Sequence, residues 1–193
     1  MNAQLDRREA VALLLQDRGD LLVVTGLGSP GYDVHAAGDH DANYYLWGAM
    51  GSAALIGLGL AQAQPERIVA AITGDGEQLM GLGGLATIAV ARPENLVVIV
   101  IDNGHFGETG MQKSHTGHGI EIAKIAEACG IEARIAKSLA EVEAMRASLR
   151  RKAKGARLYV VKVRPENPPR SLPPRDAVHL KNRLRGHLGL KVS

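Results

Sequence analysis

The sequence predicts an α/β protein whose strands form a doubly wound parallel sheet. Two short runs, Arg67 to Thr73 and Leu96 to Ile101, are apolar and β-branched without polar alternation, as strands covered on both faces must be. Stretches with helical spacing separate these runs from others like them, an alternation that argues a parallel sheet with right-handed crossovers. Apolar residues make up 46% of the chain, with a single Phe and a single Trp, so small and aliphatic side chains must build a tightly packed core. A length of 193 residues suits one well-buried domain and is too short for two large ones.

In chain order, Leu5 to Gln16 has helical apolar spacing with Arg and Asp on the other side, and Leu21 to Thr25 reads as a strand. Gly26 to Tyr45 is rich in Gly, Pro, Asp and His and reads as a loop. A small-residue helix, Ser52 to Gln64, leads to the strand Arg67 to Thr73, and a helix from Glu77 to Ala91 leads to the strand Leu96 to Ile101. A long polar loop spans Asn103 to Gly119. Helix Ile120–Cys129, strand Ala133–Ala136, helix Leu139–Lys152 and strand Leu158–Val163 complete a body assigned to residues 1–164. Residues 165–193 are set apart as a proline-rich arm, Pro165 to Pro174, and a short basic helix, Asp176 to Leu188.

Charge is unevenly placed. From Arg146 onward 14 Lys and Arg stand against two acids, Glu166 and Asp176; before it there are nine against 18. The tail has no interleaved aromatics beyond Tyr159 and several prolines, which argues against nucleic-acid binding and for a solvated face or a docking segment for a partner. Cys129 is the single cysteine, so no disulfide forms within the chain. A reducing, cytoplasmic setting is expected, with Cys129 as helix packing. Met1 to Arg8 is polar and no apolar stretch reaches spanning length, so neither a signal peptide nor a membrane segment is expected.

Gly74-Asp75-Gly76 follows one strand-like run and Asp102-Asn103-Gly104 the next. Neighbouring strands thereby deliver a carboxylate and an amide oxygen to one rim. Mg²⁺ takes roughly octahedral oxygen coordination and is usually shared with phosphate oxygens. Asp75 Oδ, Asn103 Oδ and the His105 carbonyl are the candidate protein ligands, with two diphosphate oxygens and a water as the remainder. Gly76 permits close approach to the phosphates, and a helix beginning near Glu77 aims its free N–H groups at them. A second glycine motif, Gly26-Leu27-Gly28-Ser29-Pro30-Gly31, fits the dinucleotide fingerprint but shows no apolar stripe for the helix that fingerprint needs. It reads either as a plain turn or as a loop near the diphosphate, with Gly28 and Ser29 as donors.

The spacing from Gly74-Asp75-Gly76 through Glu77–Ile101 to Asp102-Asn103 resembles the signature of the thiamine-diphosphate enzymes. The usual first Asn is Asp102 here; the second, the usual metal ligand, is kept as Asn103. Leu46-Trp47-Gly48-Ala49-Met50-Gly51 resembles the stretch that holds the aminopyrimidine. That resemblance implies that the Gly48 carbonyl accepts from the 4′-amino group. It also implies that Met50 wedges under the cofactor and brings that amino group to the thiazolium C2–H. The residues alone leave Met50 open as a core gap-filler. The stretch Tyr44 to Ile131, with Gly74 to Ile88 and Asp102 to Gly117 its most specific parts, is similar to the small β subunits of sulfopyruvate decarboxylase and the matching part of phosphonopyruvate decarboxylase.

The resemblance implies a thiamine-diphosphate-binding fold supplying the diphosphate half, with thiamine diphosphate and Mg²⁺ as cofactors. Asp75, Asn103 and His105 would hold the metal, with Gly74, Gly76, Glu77 and Phe106 beside the cofactor. A pyrimidine-binding α-type subunit would supply the activating Glu, leaving this chain incomplete on its own. The implied reaction is non-oxidative decarboxylation of a small anionic 2-oxo acid. The loop Gly104 to Gly119 carries His105, Lys113, His115 and His118, which serve either as proton shuttles and anion-binding cations or as exposed loop residues. Two other functions remain open: a carboligase, aldehyde-forming or oxidising relative, and a non-catalytic binding protein with a nucleotide-like fold. The ligand-type pair Asp75 and Asn103 argues against the last.

Overall fold

The computed structural model describes residues 5–192. Its elements run α1 (Arg7–Leu15), β1 (Leu22–Thr25), α2 (Ser29–Ala36), β2 (Asn43–Tyr45), α3 (Ala53–Ala63), β3 (Val69–Gly74), α4 (Asp75–Met80), α5 (Gly84–Ala91) and β4 (Leu96–Asp102). They continue with β5 (His105–Phe106), β6 (Gln112–Lys113), a 3₁₀ turn (Thr116–His118), α6 (Ile122–Ala128), β7 (Glu132–Ala136), α7 (Leu139–Ser148), β8 (Arg157–Lys162) and α8 (Ala177–His187).

Six strands form one parallel sheet in the order β2-β1-β3-β4-β8-β7, the doubly wound arrangement expected from the sequence. Alternate residues of β4 explain why its run is apolar throughout. Val97, Ile99 and Ile101 enter a core that also holds Val11, Leu14, Val34 and Met145, so α1, α2 and α7 cover that face. Leu96, Val98 and Val100 enter a second core with Ala54, Leu58, Leu85, Ile88 and Ile122, under α3, α5 and α6. A strand buried on both faces has no position left for a polar side chain. No helix among the described residues is long and apolar enough to cross a membrane.

Four parts of the chain differ from the sequence expectation. The stretch Gly26 to Tyr45 is no loop: it holds α2 and β2. Pro30 sits in the first turn of α2, where a missing N–H costs nothing, and burial of Tyr32, Asp33 and Val34 holds a helix of low intrinsic propensity. The helix expected from Glu77 to Ala91 starts at Asp75 and is broken at Gly81 into α4 and α5. A Cβ on Gly81 would stand 2.0 Å from the Gly51 carbonyl oxygen, so the chain after Met50 crosses the break at backbone contact. The loop Asn103 to Gly119 contains the antiparallel ribbon β5–β6 and a 3₁₀ turn. Finally, Arg7 lies under the fold instead of on the solvent face of α1; it is 4% exposed and its Nε is 3.1 Å from Asp33 Oδ2.

The C-terminal residues pack back on the sheet. Asp176 caps α8 by accepting from the Val178 and His179 N–H groups at 2.9 and 3.1 Å. Leu180 is fully buried in the first core, while Leu184 and Leu188 pack against the second, so α8 straddles the edge of the sheet at β2. An edge strand covered in this way presents no open hydrogen-bonding row. Leu180→Ala should therefore cost about 2–5 kcal/mol, the range for removing a buried Leu. Urea unfolding should show a lower midpoint with little change in slope. An unchanged midpoint would show α8 to lie outside the cooperative unit.

Candidate functional site

The chain leaves β1 through α2 on one face of the sheet and leaves β3 through α4 on the other side. The connections therefore part at the carboxyl ends of β1 and β3. Open α/β sheets bind ligands at such switch points. A cleft of about 190 Å³, open to solvent on one side, lies there, smaller than the range of about 300–1,000 Å³ usual for complete small-molecule sites. Leu27, Ser29 and Pro30 wall it from the β1–α2 turn, and Gly74 to Glu77 from the β3–α4 turn. Ile101, Asn103 and His105 to Thr109 wall it from the end of β4 and the ribbon, and Met50 and Arg7 close its sides.

Asp75 is 2% exposed, and its Oδ2 accepts from the Ser114 and Thr116 hydroxyls, the latter at 2.9 Å. Burial pushes its carboxyl above the ordinary value, and the Ser114 hydroxyl pulls it back. Asp102, one strand over, is also buried. It differs in having a cation: Lys162, its register partner on β8, makes an ion pair with Oδ2. Thr116 Oγ1 stands between the two acids, 2.9 Å from Asp75 Oδ2 and 2.7 Å from Asp102 Oδ1, so the two carboxylates share its single proton. Of two neighbouring buried carboxylates, one is neutralised within the chain and Asp75 is not. Buried charges are paired or coordinate metals, so Asp75 has the chemistry of a divalent-cation ligand. Asn103 presents its amide beside it, with Oδ1 accepting the His105 N–H at 2.9 Å and its own carbonyl accepting from His105 Nδ1 at 2.9 Å. Among the described residues no three His, Cys, Asp or Glu side chains cluster as a metal cage; a carboxylate, an amide and a carbonyl are a donor set for Mg²⁺ shared with phosphate.

Glu77 lines the cleft with one carboxylate oxygen engaged and the other, Oε1, buried without a hydrogen-bond partner. Oε2 accepts the Leu27 N–H at 2.9 Å, which ties the β1–α2 turn to the start of α4. Burial raises its pKa. Gly76 is required for a reason the sequence did not suggest: a Cβ there would stand 2.4 Å from the Phe106 ring, so Phe106 packs directly over the turn. A Cβ on Gly74 would meet only Pro30, at 3.7 Å, which is ordinary contact. Met50 is 43% exposed. It projects from a tight loop, with Ala49 and Gly51 at positive φ, and lines the cleft; it fills no gap in the core. Gly48 is exposed on the same loop and is not part of the cleft wall.

Of the four loop residues singled out for catalysis, only His105 reaches the cleft. Lys113, His115 and His118 are exposed on the outer side of the ribbon and the 3₁₀ turn. His115 meets the wall indirectly, its ring edge-on to Phe106 at 6.3 Å. The sequence reading missed Ser114 and Thr116, whose only signal was two hydroxyls interleaved with those cations. It also missed Arg7, which meets the cleft through a tertiary ion pair that no local pattern announces. The glycine motif at Gly26 does have a helix starting inside it, contrary to expectation, and Leu27 and Ser29 line the cleft.

The family described as "Thiamine pyrophosphate enzyme, C-terminal TPP binding domain" matches residues 29–163. Sulfopyruvate decarboxylase subunit beta of Methanocaldococcus jannaschii is 39% identical over 122 residues, 63% of this chain and 64% of that protein. Phosphonopyruvate decarboxylase of Streptomyces viridochromogenes is 40% identical over 121 residues, again 63% of this chain but 30% of that protein. The chain thus spans less than two thirds of the first relative and less than a third of the second. Benzoylformate decarboxylase from Polynucleobacter necessarius shares the fold at a TM-score of 0.68 and 19% identity, over 86% of this chain and 34% of that one. With the family match covering most of the chain, including Gly74 to Gly76 and both rim acids, the chain belongs to the thiamine pyrophosphate enzymes, as a C-terminal TPP binding domain.

Proposed function

We propose that this chain is the diphosphate- and metal-binding subunit of a thiamine-diphosphate-dependent, non-oxidative decarboxylase of a small anionic 2-oxo acid. The observation that carries the proposal is Asp75, a buried carboxylate without a cation, standing with Asn103 on the rim of adjacent strands at the switch point. Asp75 Oδ, Asn103 Oδ and the His105 carbonyl would hold Mg²⁺, and Ser29 and the turns at Gly28 and Gly74 to Gly76 would face the diphosphate. When bound, the cofactor supplies the carbon nucleophile and the electron sink for loss of carbon dioxide.

The chain's own residues position, support and move protons. Ser114 and Thr116 fix the Asp75 carboxylate by donating to one oxygen, which leaves the other for the metal. Met50, reaching in from its exposed loop, would bend the cofactor, and the Gly48 carbonyl would accept from its amino group. His105 gives its Nδ1–H to the Asn103 carbonyl, so Nε2 is the nitrogen free to hold or deliver a proton at the cleft. Phe106, packed over Gly76, excludes water from the turn. Lys113, His115 and His118 carry no step in this reading.

The activating Glu is proposed to come from a pyrimidine-binding α-type partner. Two acids of this chain lie beside the cofactor motifs: Glu77 accepts the Leu27 N–H through Oε2 while its Oε1 is buried without a partner, and Glu108 pairs with Arg170 at 3.0 Å. Met50, Leu55 and Met80 are exposed apolar side chains that a partner would cover. The relative from Methanocaldococcus jannaschii is itself named as a β subunit.

Asp75→Ala should abolish Mg²⁺-dependent binding of thiamine diphosphate, while Asn103→Ala weakens it less, because only Asp75 brings charge. Calorimetry of the full chain with its partner tests this, and undiminished affinity in Asp75→Ala would remove the metal site. Met50→Ala should cost about 1 kcal/mol of stability or less, as for other part-exposed positions, yet slow thiazolium C2–H exchange in the assembled enzyme. An unaltered exchange rate would end the wedge role. The purified chain given cofactor and Mg²⁺ should turn over no 2-oxo acid until the partner is added; full turnover by the chain alone would overturn the subunit reading.

A further inference from the structure

We propose that the C-terminal arm builds an anion subsite at the mouth of the cleft, where Arg170, backed by Arg7, takes the second acidic group of a dianionic 2-oxo acid. The proposal deepens the decarboxylase reading and rests on it for the reaction, not for the binding site itself. The residues assigned to the matched family domain end at 163, so the arm adds something that domain lacks.

Three guanidinium groups meet two carboxylates here. Arg170 Nη2 lies 3.0 Å from Glu108 Oε2, and its guanidinium stands 5.8 Å from the centre of the Tyr32 ring. Arg7 is 4% exposed and lines the cleft, with Nε on Asp33 and Nη1 buried without a hydrogen-bond partner. Arg8 completes the set through Asp33 Oδ1 at 3.4 Å. A buried N–H left unmatched is costly, and with Nη1 covered by protein Arg7 acts on an incoming anion through its charge. Glu108 also lines the cleft, its side chain lying against Gly28 at the switch-point turn. Its carboxylate holds the place of an incoming acid group. Once Glu108 turns outward, the cluster of Arg7, Arg8 and Arg170 keeps Asp33 as its paired acid, an excess of positive charge beside the cleft that suits an incoming anion.

Arg170 is also held in position. On one side Asn167 Nδ2 donates to the Gly107 carbonyl at 3.1 Å, and Arg8 Nη2 donates to the Pro169 carbonyl. On the other side Ser171 Oγ meets His35 Nδ1 at 2.7 Å, and Trp47 Nε1 donates to the Pro174 carbonyl at 2.7 Å. Pro168 and Pro169 restrict the backbone between these anchors. The arm thus presents Arg170 at the mouth with little freedom left to lose on binding, which favours affinity. Lys113, the cation the sequence suggested for this task, is exposed and outside the cleft.

The probe is sulfoacetate, which carries a sulfonate and a carboxylate but no 2-oxo group to react. Its binding to the full chain is measured by calorimetry beside acetate, with cofactor uptake measured separately. The wild-type chain should bind sulfoacetate more tightly than acetate. Arg170→Ala should weaken sulfoacetate about tenfold or more, the scale of one charge-assisted contact. Glu108→Gln should instead tighten it several-fold, an opposite sign that a merely structural ion pair would not produce. Equal affinity for the two probes, indifference to Arg170→Ala, or weaker binding in Glu108→Gln overturns the subsite. If cofactor uptake is intact, such a result leaves the decarboxylase reading standing. The expected pattern in a chain that takes up no thiamine diphosphate even with its partner present supports the subsite and ends that reading.

Discussion

The cleft depends on one buried hydrogen bond between its two walls. The turns after β1 and β3 diverge because their helices leave on different faces of the sheet, beyond the last ladder bond, from the Gly26 N–H to the Ile72 carbonyl at 2.7 Å. Glu77, on the first turn of α4, reaches across and takes the Leu27 N–H. Burying that carboxylate is unfavourable by itself, which is why burial raises its pKa. The bond therefore fixes the opening of the crevice at the expense of some stability, a pattern expected where a fold maintains a binding site. Gly51 crossing Gly81 at backbone contact does the same on the next side, setting Met50 against the cleft wall.

Electrostatic contrast within the rim is the second constraint. Asp75 and Asp102 are close enough to share Thr116, and two bare carboxylates there would repel. Lys162 settles Asp102 and leaves Asp75 as the acid of that pair still wanting a cation. Asp102 replaces the amide usual in the family signature, and the neighbouring strand supplies the lysine that makes an acid tolerable at that position. The substitution thus concentrates on Asp75 the need for a metal.

How much was legible in the sequence follows from where each signal resides. Five of the six sheet strands are legible in the sequence, β1, β3, β4 and β8 because they are buried along most of their length, while β7 buries only Ala136, and the rim acids sit at the ends of two of them. Helix α2 was hidden because its stability comes from packing on α1, while Pro30 and Gly31 weaken the local signal. The break between α4 and α5 was hidden because it answers a contact with Gly51, thirty residues away. Among site residues, Asp75, Asn103 and His105 follow from spacing. Ser114 and Thr116 do not, since their role depends on the ribbon folding back over Asp75. Lys113, His115 and His118 looked functional because cations in a glycine-rich loop carry no indication of which side of the ribbon they occupy.

The uneven charge of the chain has its explanation in the same tertiary terms. The basic tail faced an acidic body in sequence, and a solvated face or a partner-docking segment was the expectation. Instead many of the pairs close within the chain. Arg164 meets Asp6 at 2.9 Å, Lys152 meets Glu66 at 3.1 Å, and Arg183 meets Asp39 at 2.7 Å while lying over the Tyr45 ring. Exposed pairs of this kind add little stability singly. Their value is in register: Arg164, Arg170, Arg175 and Arg183 each have an acid or an aromatic ring that positions them, and together they draw residues 164–187 along the cleft and over the sheet edge. Of these pairs Arg170 with Glu108 alone joins the arm to a residue of the cleft wall. The others locate the arm, and that pair is where its location can affect what the cleft binds.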